Sequence, residues 1–269
     1  MLATIGGEDQ IEVVPHLDAD LVRADPKPFL GYSDNTNVLS WLWTQGITAF
    51  YGGSAQVQLG PGPGVDPCHR AALRAALLTG ERMEVTDPGE SEDIGKDWAD
   101  PAALTECGDR EPTEPWTWAG PAATVTGRTW GGCIEVLQWI LTAGRFPTDS
   151  SVLDGGVLLL EASGEIIPAR EFGWILRSLG ERELLAAVDA VLVARPPASS
   201  FDKQPPVAER DAHRREQCRV AIDIIARYNP LAVICVGVPF GHTRPQWVLP
   251  YGGQVTIDGV QRRIWADYR

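Results

Sequence analysis

Residues 27–43 read Lys-Pro-Phe-Leu-Gly-Tyr-Ser-Asp-Asn-Thr-Asn-Val-Leu-Ser-Trp-Leu-Trp. Pro28–Tyr32 reads as a short buried strand, and from Asn35 onward apolar residues recur at helical spacing. Gly31-Tyr32-Ser33-Asp34 is then a very short strand-to-helix turn. Such a turn holds the Ser33 hydroxyl at the tip of a sheet. The backbone N–H groups that follow lack intrahelical partners, and the helix dipole favours negative charge there. The geometry suits a nucleophile whose substrate develops an oxyanion nearby. A plainer alternative is that Ser33 or Asp34 caps the helix, since Ser, Asp and Asn are preferred there.

Working outward, Leu2–Ile5 reads as a strand running into the Gly6-Gly7 turn, and residues 10–30 as a helix or loop. After the Asn35–Gln45 helix, Ile47–Tyr51 reads as another strand, ended by Gly52-Gly53. Gln58–Asp66 is a loop by composition, and Ala71–Leu78 a helix. Residues 80–122 are acidic and rich in Pro and Glu, with Trp98, Trp116 and Trp118. They read as an inter-domain connection of extended pieces, with the tryptophans anchored against something.

The second half returns to α/β patterning. Thr124–Thr129 reads as a strand, Trp130-Gly131-Gly132 as a turn, and Ile134–Leu141 as a helix. Gly156–Glu161 is a buried strand with a carboxylate at its end. Pro168–Leu179 is a helix, Ala190–Ala194 a strand, and Ala208–Tyr228 a charged helix stopped at Asn229-Pro230. Leu231–Val238 is a strand closing into Pro239-Phe240-Gly241-His242, and Thr256–Asp258 with Gln261–Trp265 forms a closing hairpin. The division expected is an N-terminal α/β domain over 1–79, a connection over 80–123 and a C-terminal α/β domain over 124–269, with the site at their junction.

Composition narrows the classes. The 269 residues carry a net charge of −13, which argues against nucleic acid as a partner, because phosphate binding needs a basic face. No apolar run is long enough to span a membrane and no basic-then-apolar leader opens the sequence, so a cytoplasmic location is expected. The cysteines at 68, 107, 133, 218 and 235 show neither CxxC pairing nor metal spacing and read as reduced structural thiols; no metal site or cofactor is expected. Of four histidines, His16, His69 and His213 lie in polar or helix-surface settings and read as solvated.

Three polar residues therefore stand at the ends of buried strands: Ser33, Glu161 and His242. Open α/β sheets place ligands at the carboxyl ends of their strands. A nucleophile, a base and a carboxylate that fixes the imidazole tautomer would make a hydrolytic site. A buried Glu161 needs a partner, which a histidine or an arginine can supply, and His242 can equally be a turn histidine satisfied by backbone. The α/β-hydrolase elbow Gly-x-Ser-x-Gly is not matched, because Asn35 stands where its second glycine belongs.

Gly31-Tyr32-Ser33-Asp34-Asn35-Thr36, Leu158-Leu159-Leu160-Glu161 and Val238-Pro239-Phe240-Gly241-His242-Thr243 together resemble the three motifs of the LD-carboxypeptidase superfamily of serine peptidases, in its order. The resemblance implies Ser33 as nucleophile, His242 as general base and Glu161 as orienting acid. It implies an oxyanion hole from the backbone of Asp34 and of the Gly6-Gly7 turn, with Gly7 the named residue. It implies an incomplete N-terminal Rossmann-like parallel sheet, a C-terminal swivelling β/β/α-like domain, and a homodimer. Family members carry a further α/β portion ahead of the glycine turn, so a shortened first sheet and a loose oxyanion hole are expected.

Thr129-Trp130-Gly131-Gly132, Leu249-Pro250-Tyr251-Gly252 and the Trp116/Trp118 connector are similar to the microcin C immunity branch. There a tryptophan stacks on the nucleotide base of the substrate, which puts Trp130 at substrate; a turn tryptophan packing the core is the alternative. The substrate implied is an aminoacyl-nucleotide or related peptide conjugate. A murein tetrapeptide, and a non-catalytic ligand-binding relative, are the alternatives.

Overall fold

The computed structural model describes all 269 residues. Its strands are β1 (Leu30–Gly31), β2 (Ala49–Tyr51), β3 (Arg82–Val85), β4 (Glu90–Ser91), β5 (Glu111–Pro112), β6 (Thr117–Ala119) and β7 (Thr124–Cys133). They continue as β8 (Val157–Glu161), β9 (Ala190–Ala194), β10 (Val233–Val238), β11 (Leu249–Tyr251), β12 (Gln254–Asp258) and β13 (Arg263–Asp267).

The larger sheet has eight strands in the order β3-β13-β12-β7-β8-β9-β10-β6. Its centre, β7 to β10, is parallel. Val157–Glu161 and Ala190–Ala194 are buried at every position. Such continuous apolar runs suit strands covered on both faces. The helices Ala169–Glu181 and Val207–Tyr228 pack against each other on this sheet. The smaller sheet has the order β1-β2-β11, with β1 parallel to β2 and β11 antiparallel to it. Its third strand therefore comes from the far end of the sequence. The fold is mixed α/β, and no helix is long and apolar enough to cross a membrane.

Three local expectations need correction. Leu2–Ile5 does not form a strand and makes only an isolated bridge, Leu2 to Leu30. Beyond the Ala3 N–H, which donates to the Leu30 carbonyl, the carbonyls of Ala3 and Thr4 accept from Ala55 and Gln56, at the start of the helical turn Ala55–Leu59, so the pairing with β1 stops after one bridge. Trp130-Gly131-Gly132 is not a turn; β7 runs through it in register with β8, pairing Trp130 with Leu158 and Cys133 with Glu161. The glycines are there for close approach: a Cβ on Gly131 would lie 1.9 Å from the Leu159 carbonyl oxygen, and one on Gly132 would lie 2.7 Å from Thr36 Oγ1. Finally, residues 80–123 do more than connect, because they supply both edge strands of the larger sheet, β3 and β6. Trp116 and Trp118 pack on the core, whereas Trp98 is 52% exposed.

Candidate active site

Ser33 directly follows β1 and one intervening residue, opening the short helical turn Ser33–Asn35 that leads into the helix Thr36–Thr44. It has φ 62°, the left-handed region, which costs a non-glycine residue about 1–3 kcal/mol. The surrounding bonds over-determine that backbone. Asn35 donates through Nδ2 to the Tyr32 carbonyl at 2.9 Å, and Asp34 accepts from the Gln10 backbone N–H at 3.0 Å and from Asn37 Nδ2 at 2.8 Å. Burial pushes the Asp34 carboxyl up, and these donors hold it back. Neither residue caps the helix; the hydrogen bonds of Asp34 lock the turn, and the Ser33 hydroxyl forms none. The glycine turn lies directly against the serine, since a Cβ on Gly6 would come 2.9 Å from Ser33 Oγ and one on Gly7 would come 3.4 Å from Asp34 Oδ2.

Glu161 ends β8 and is 1% exposed. Both its oxygens are engaged: Oε2 lies 2.6 Å from His242 Nδ1, and Oε1 accepts from the Tyr51 hydroxyl at 2.6 Å. Its partner is thus a histidine and a tyrosine, not an arginine. Burial disfavours the His242 imidazolium, but the Glu161 carboxylate outweighs it, so the pKa of His242 is raised above 6.5; Glu135 and Glu165 push the same way. With Nδ1 committed to the carboxylate, Nε2 is the ring nitrogen left for other work. The imidazole packs edge-on against Tyr32 with ring centroids 5.0 Å apart, which sets it beside the residue preceding Ser33.

The loop carrying His242 is tied down on both sides. Gln246 donates to the Gly241 carbonyl and accepts from the Gly53 N–H at 2.7 Å. Arg244 exchanges backbone hydrogen bonds with Glu92, its guanidinium pairs with the Glu92 carboxylate at 2.7 Å, and it donates to the Val57 carbonyl at 2.9 Å.

Trp130 does not reach this surface. It is wholly buried, stacks on Phe146 with centroids 4.1 Å apart, and donates its indole N–H to Ser40 at 3.3 Å. A ring inside the central sheet has no face left for a ligand. His69 also differs from expectation: it is 1% exposed and its Nδ1 meets the Gln246 carbonyl at 2.9 Å. Sequence reasoning passed over Tyr51, Gln246 and Arg244, because each acts on a partner distant in the chain and none lies in a recognisable motif. One exposed aromatic pair lies beside a cavity elsewhere on the surface. Trp98 and Phe201 meet edge-on at 6.4 Å, and Phe201 lines a polar cavity of about 520 Å³ that Glu92, the partner of Arg244, also lines.

The chain resembles known proteins in sequence and in fold. The chain is 25% identical over 270 residues to the microcin C7 self-immunity protein MccF of Escherichia coli, covering 98% of this chain and 72% of that one. A solved MccF-like protein from Streptococcus pneumoniae, in complex with AMP, superposes with a TM-score of 0.81 at 24% identity, covering 99% of this chain and 78% of that one. MccF in complex with aspartyl sulfamoyl adenosine superposes at 0.80 with 21% identity, covering 99% and 75%. The LD-carboxypeptidase N-terminal domain model matches residues 1–52, the stretch holding the glycine turn and Ser33, and the C-terminal domain model matches 126–257, the stretch holding Glu161 and His242. With the two models in order over the two halves of one site, the chain belongs to the LD-carboxypeptidase family of serine peptidases.

Proposed function

We propose that this chain is a serine-type hydrolase that cleaves an amide bond through Ser33, His242 and Glu161. The observation that carries the reading is the 2.6 Å contact of Glu161 with His242 Nδ1, beside a strained serine whose hydroxyl is free of intramolecular bonds. In the reaction, Ser33 Oγ attacks the carbonyl carbon as His242 Nε2 accepts its proton. The oxyanion forms against the backbone N–H groups of Asp34 and the Gly6-Gly7 turn, where family resemblance names Gly7. Collapse expels the amine, which takes the proton back from His242, and leaves an acyl-serine. Water, deprotonated by His242, then attacks the ester; Ser33 Oγ leaves, takes that proton back from His242, and the acid is released. Glu161 holds the imidazole tautomer throughout.

The substrate we favour is an aminoacyl-nucleotide of the microcin C type. Its support is the likeness to proteins solved with AMP and with an aminoacyl-sulfamoyl nucleoside. With Trp130 buried, the base-stacking surface in this reading moves to Trp98 and Phe201, the exposed aromatic pair beside the polar cavity. Murein tetrapeptide is the second reading, favoured by the family itself. A non-catalytic binder is the third.

The test is product release from an aminoacyl-sulfamoyl adenosine and from a murein tetrapeptide, by the parent chain and by Ser33→Ala. Cleavage of the nucleotide compound, abolished in the variant, is expected. Trp98→Ala should raise KM for that compound about tenfold, the value of one base–aromatic stack. Cleavage of the tetrapeptide alone would overturn the substrate, and a folded chain silent on both would overturn the enzyme.

A further inference from the structure

Tyr51 is the last residue of β2, in the smaller sheet, yet its hydroxyl reaches Glu161 at the end of β8 in the larger one. Its ring is fully buried and held on two sides, stacked on Tyr251 at 6.1 Å and edge-on to Phe240 at 6.2 Å. Space for it is kept open by a glycine: a Cβ on Gly132 would lie 2.9 Å from Tyr51 Cε2. Gly132 has φ 126°, so a side chain there would be strained as well as crowded. Burial and the neighbouring carboxylate push the tyrosine hydroxyl well above its ordinary pKa, so it stays a proton donor. Every feature of the residue thus serves to aim one O–H at one carboxylate oxygen.

We propose that Tyr51 is a positioning residue for the catalytic base, its hydroxyl fixing the Glu161 carboxylate and setting how strongly that carboxylate holds His242. The inference rests on the reading of His242 as the base. A carboxylate with only the imidazole as partner can rotate about its last torsion; two donors on opposite oxygens fix its plane. The tyrosine also drains charge from the carboxylate, which tempers its pull on the imidazolium. Because Tyr51 and Glu161 sit on different sheets, the base is in register only while the two sheets are closed on each other.

The experiment reads His242 directly, with no substrate. The imidazole is titrated by NMR in the parent and in Tyr51→Phe, and assigned among the four histidines by its loss in His242→Gln. Removing the donor should raise the His242 pKa by about half a unit or more. The site-specific replacement Tyr51→3-fluorotyrosine, which keeps the ring and strengthens the donor, should lower it, and carries the test if Tyr51→Phe does not fold. In steady-state assays on whichever substrate is cleaved, Tyr51→Phe should lower kcat about tenfold with KM unchanged and move the acid limb of the pH profile upward. A His242 titration unmoved by both replacements, or moved the same way by both, overturns the inference. Failure of the parent to cleave either substrate overturns the hydrolase reading while leaving the titration result standing.

Discussion

Two of the protein's buried clusters of ionisable groups are built to opposite plans. In one, Asp93 accepts from Arg195 at 2.6 Å, from Arg214 at 2.7 Å and from the Ala198 N–H at 2.8 Å. Glu114 closes the ring by accepting from the same two arginines at 2.7 and 3.0 Å. Two cations face two anions. The knot clamps the segment ahead of β6 to the loop after β9 and to the helix Val207–Tyr228. In the other cluster, Glu161 is saturated by His242 and Tyr51, but His242 keeps one ring nitrogen uncommitted and Ser33 keeps its whole hydroxyl. Burial of charge is common to both, so burial does not mark the site. What marks it is bonding capacity left over.

That distinction can be broken most sharply at Glu161. Glu161→Gln keeps the shape and removes the charge, so turnover should fall roughly a thousandfold, while the fold is kept at a cost of about 1–3 kcal/mol for the one donor that loses its acceptor. The acid limb of activity should also move to lower pH, because the cause of the raised His242 pKa is gone. A variant with parental turnover would remove Glu161 from the reaction. The knot should answer the other way. Asp93→Ala leaves two guanidinium groups, 2% and 5% exposed, short of a partner and should cost about 3–5 kcal/mol in urea unfolding. A loss below 1 kcal/mol would show that the knot does not hold the segment.

The smallest effect is in the pH dependence of stability, where the two clusters carry opposite signs. His242 has a raised folded pKa, so its pairing stabilises fully below its unfolded value of 6.5 and is lost as pH rises through the folded value. For Glu114, burial opposes ionisation but Arg195 and Arg214 outweigh it and lower the pKa below 4.5; its contribution is present above that value and lost as pH falls through the folded one. His242→Asn should therefore flatten the urea midpoint near neutral pH, and Glu114→Gln should flatten it in acid. Both variants altering the same window would erase the difference.

Much of the candidate site was legible in the sequence because Glu161 ends a strand with a local apolar run, and Ser33 and His242 follow such strands by a few residues. Val-Leu-Leu-Leu before Glu161 admits no helix cap or surface reading, and Phe-Leu-Gly-Tyr before Ser33 places the serine at a strand tip. What escaped was decided across the chain. Gly131 and Gly132 look like turn residues, yet they sit inside β7 because Leu159, Thr36 and Tyr51 approach too closely for a side chain. The placement of Trp130 at substrate came from the family resemblance, and the structure buries that ring in the core instead. Leu2–Ile5 has strand composition, but it pairs with Leu30 alone in the sheet and gives its next carbonyls to Ala55 and Gln56, which no local pattern reveals. The knot joins residues that composition scatters between an acidic connector and a charged helix, and neither stretch announces the other.

The pairing of β2 with β11 sets an order of events in time. Phe50 lies against Pro250 in an antiparallel ladder, so the sheet that presents the serine lacks its third strand until Tyr251 has been synthesised and has left the ribosome. Closing so long a loop is slow beside the local folding of the helices. The turn that carries Ser33 is synthesised early, whereas the His242 loop is made only nine residues before that strand ends. Assembly of the small sheet is therefore a late step of biogenesis, and the turn that carries Ser33 can meet the His242 loop only once synthesis has passed that loop.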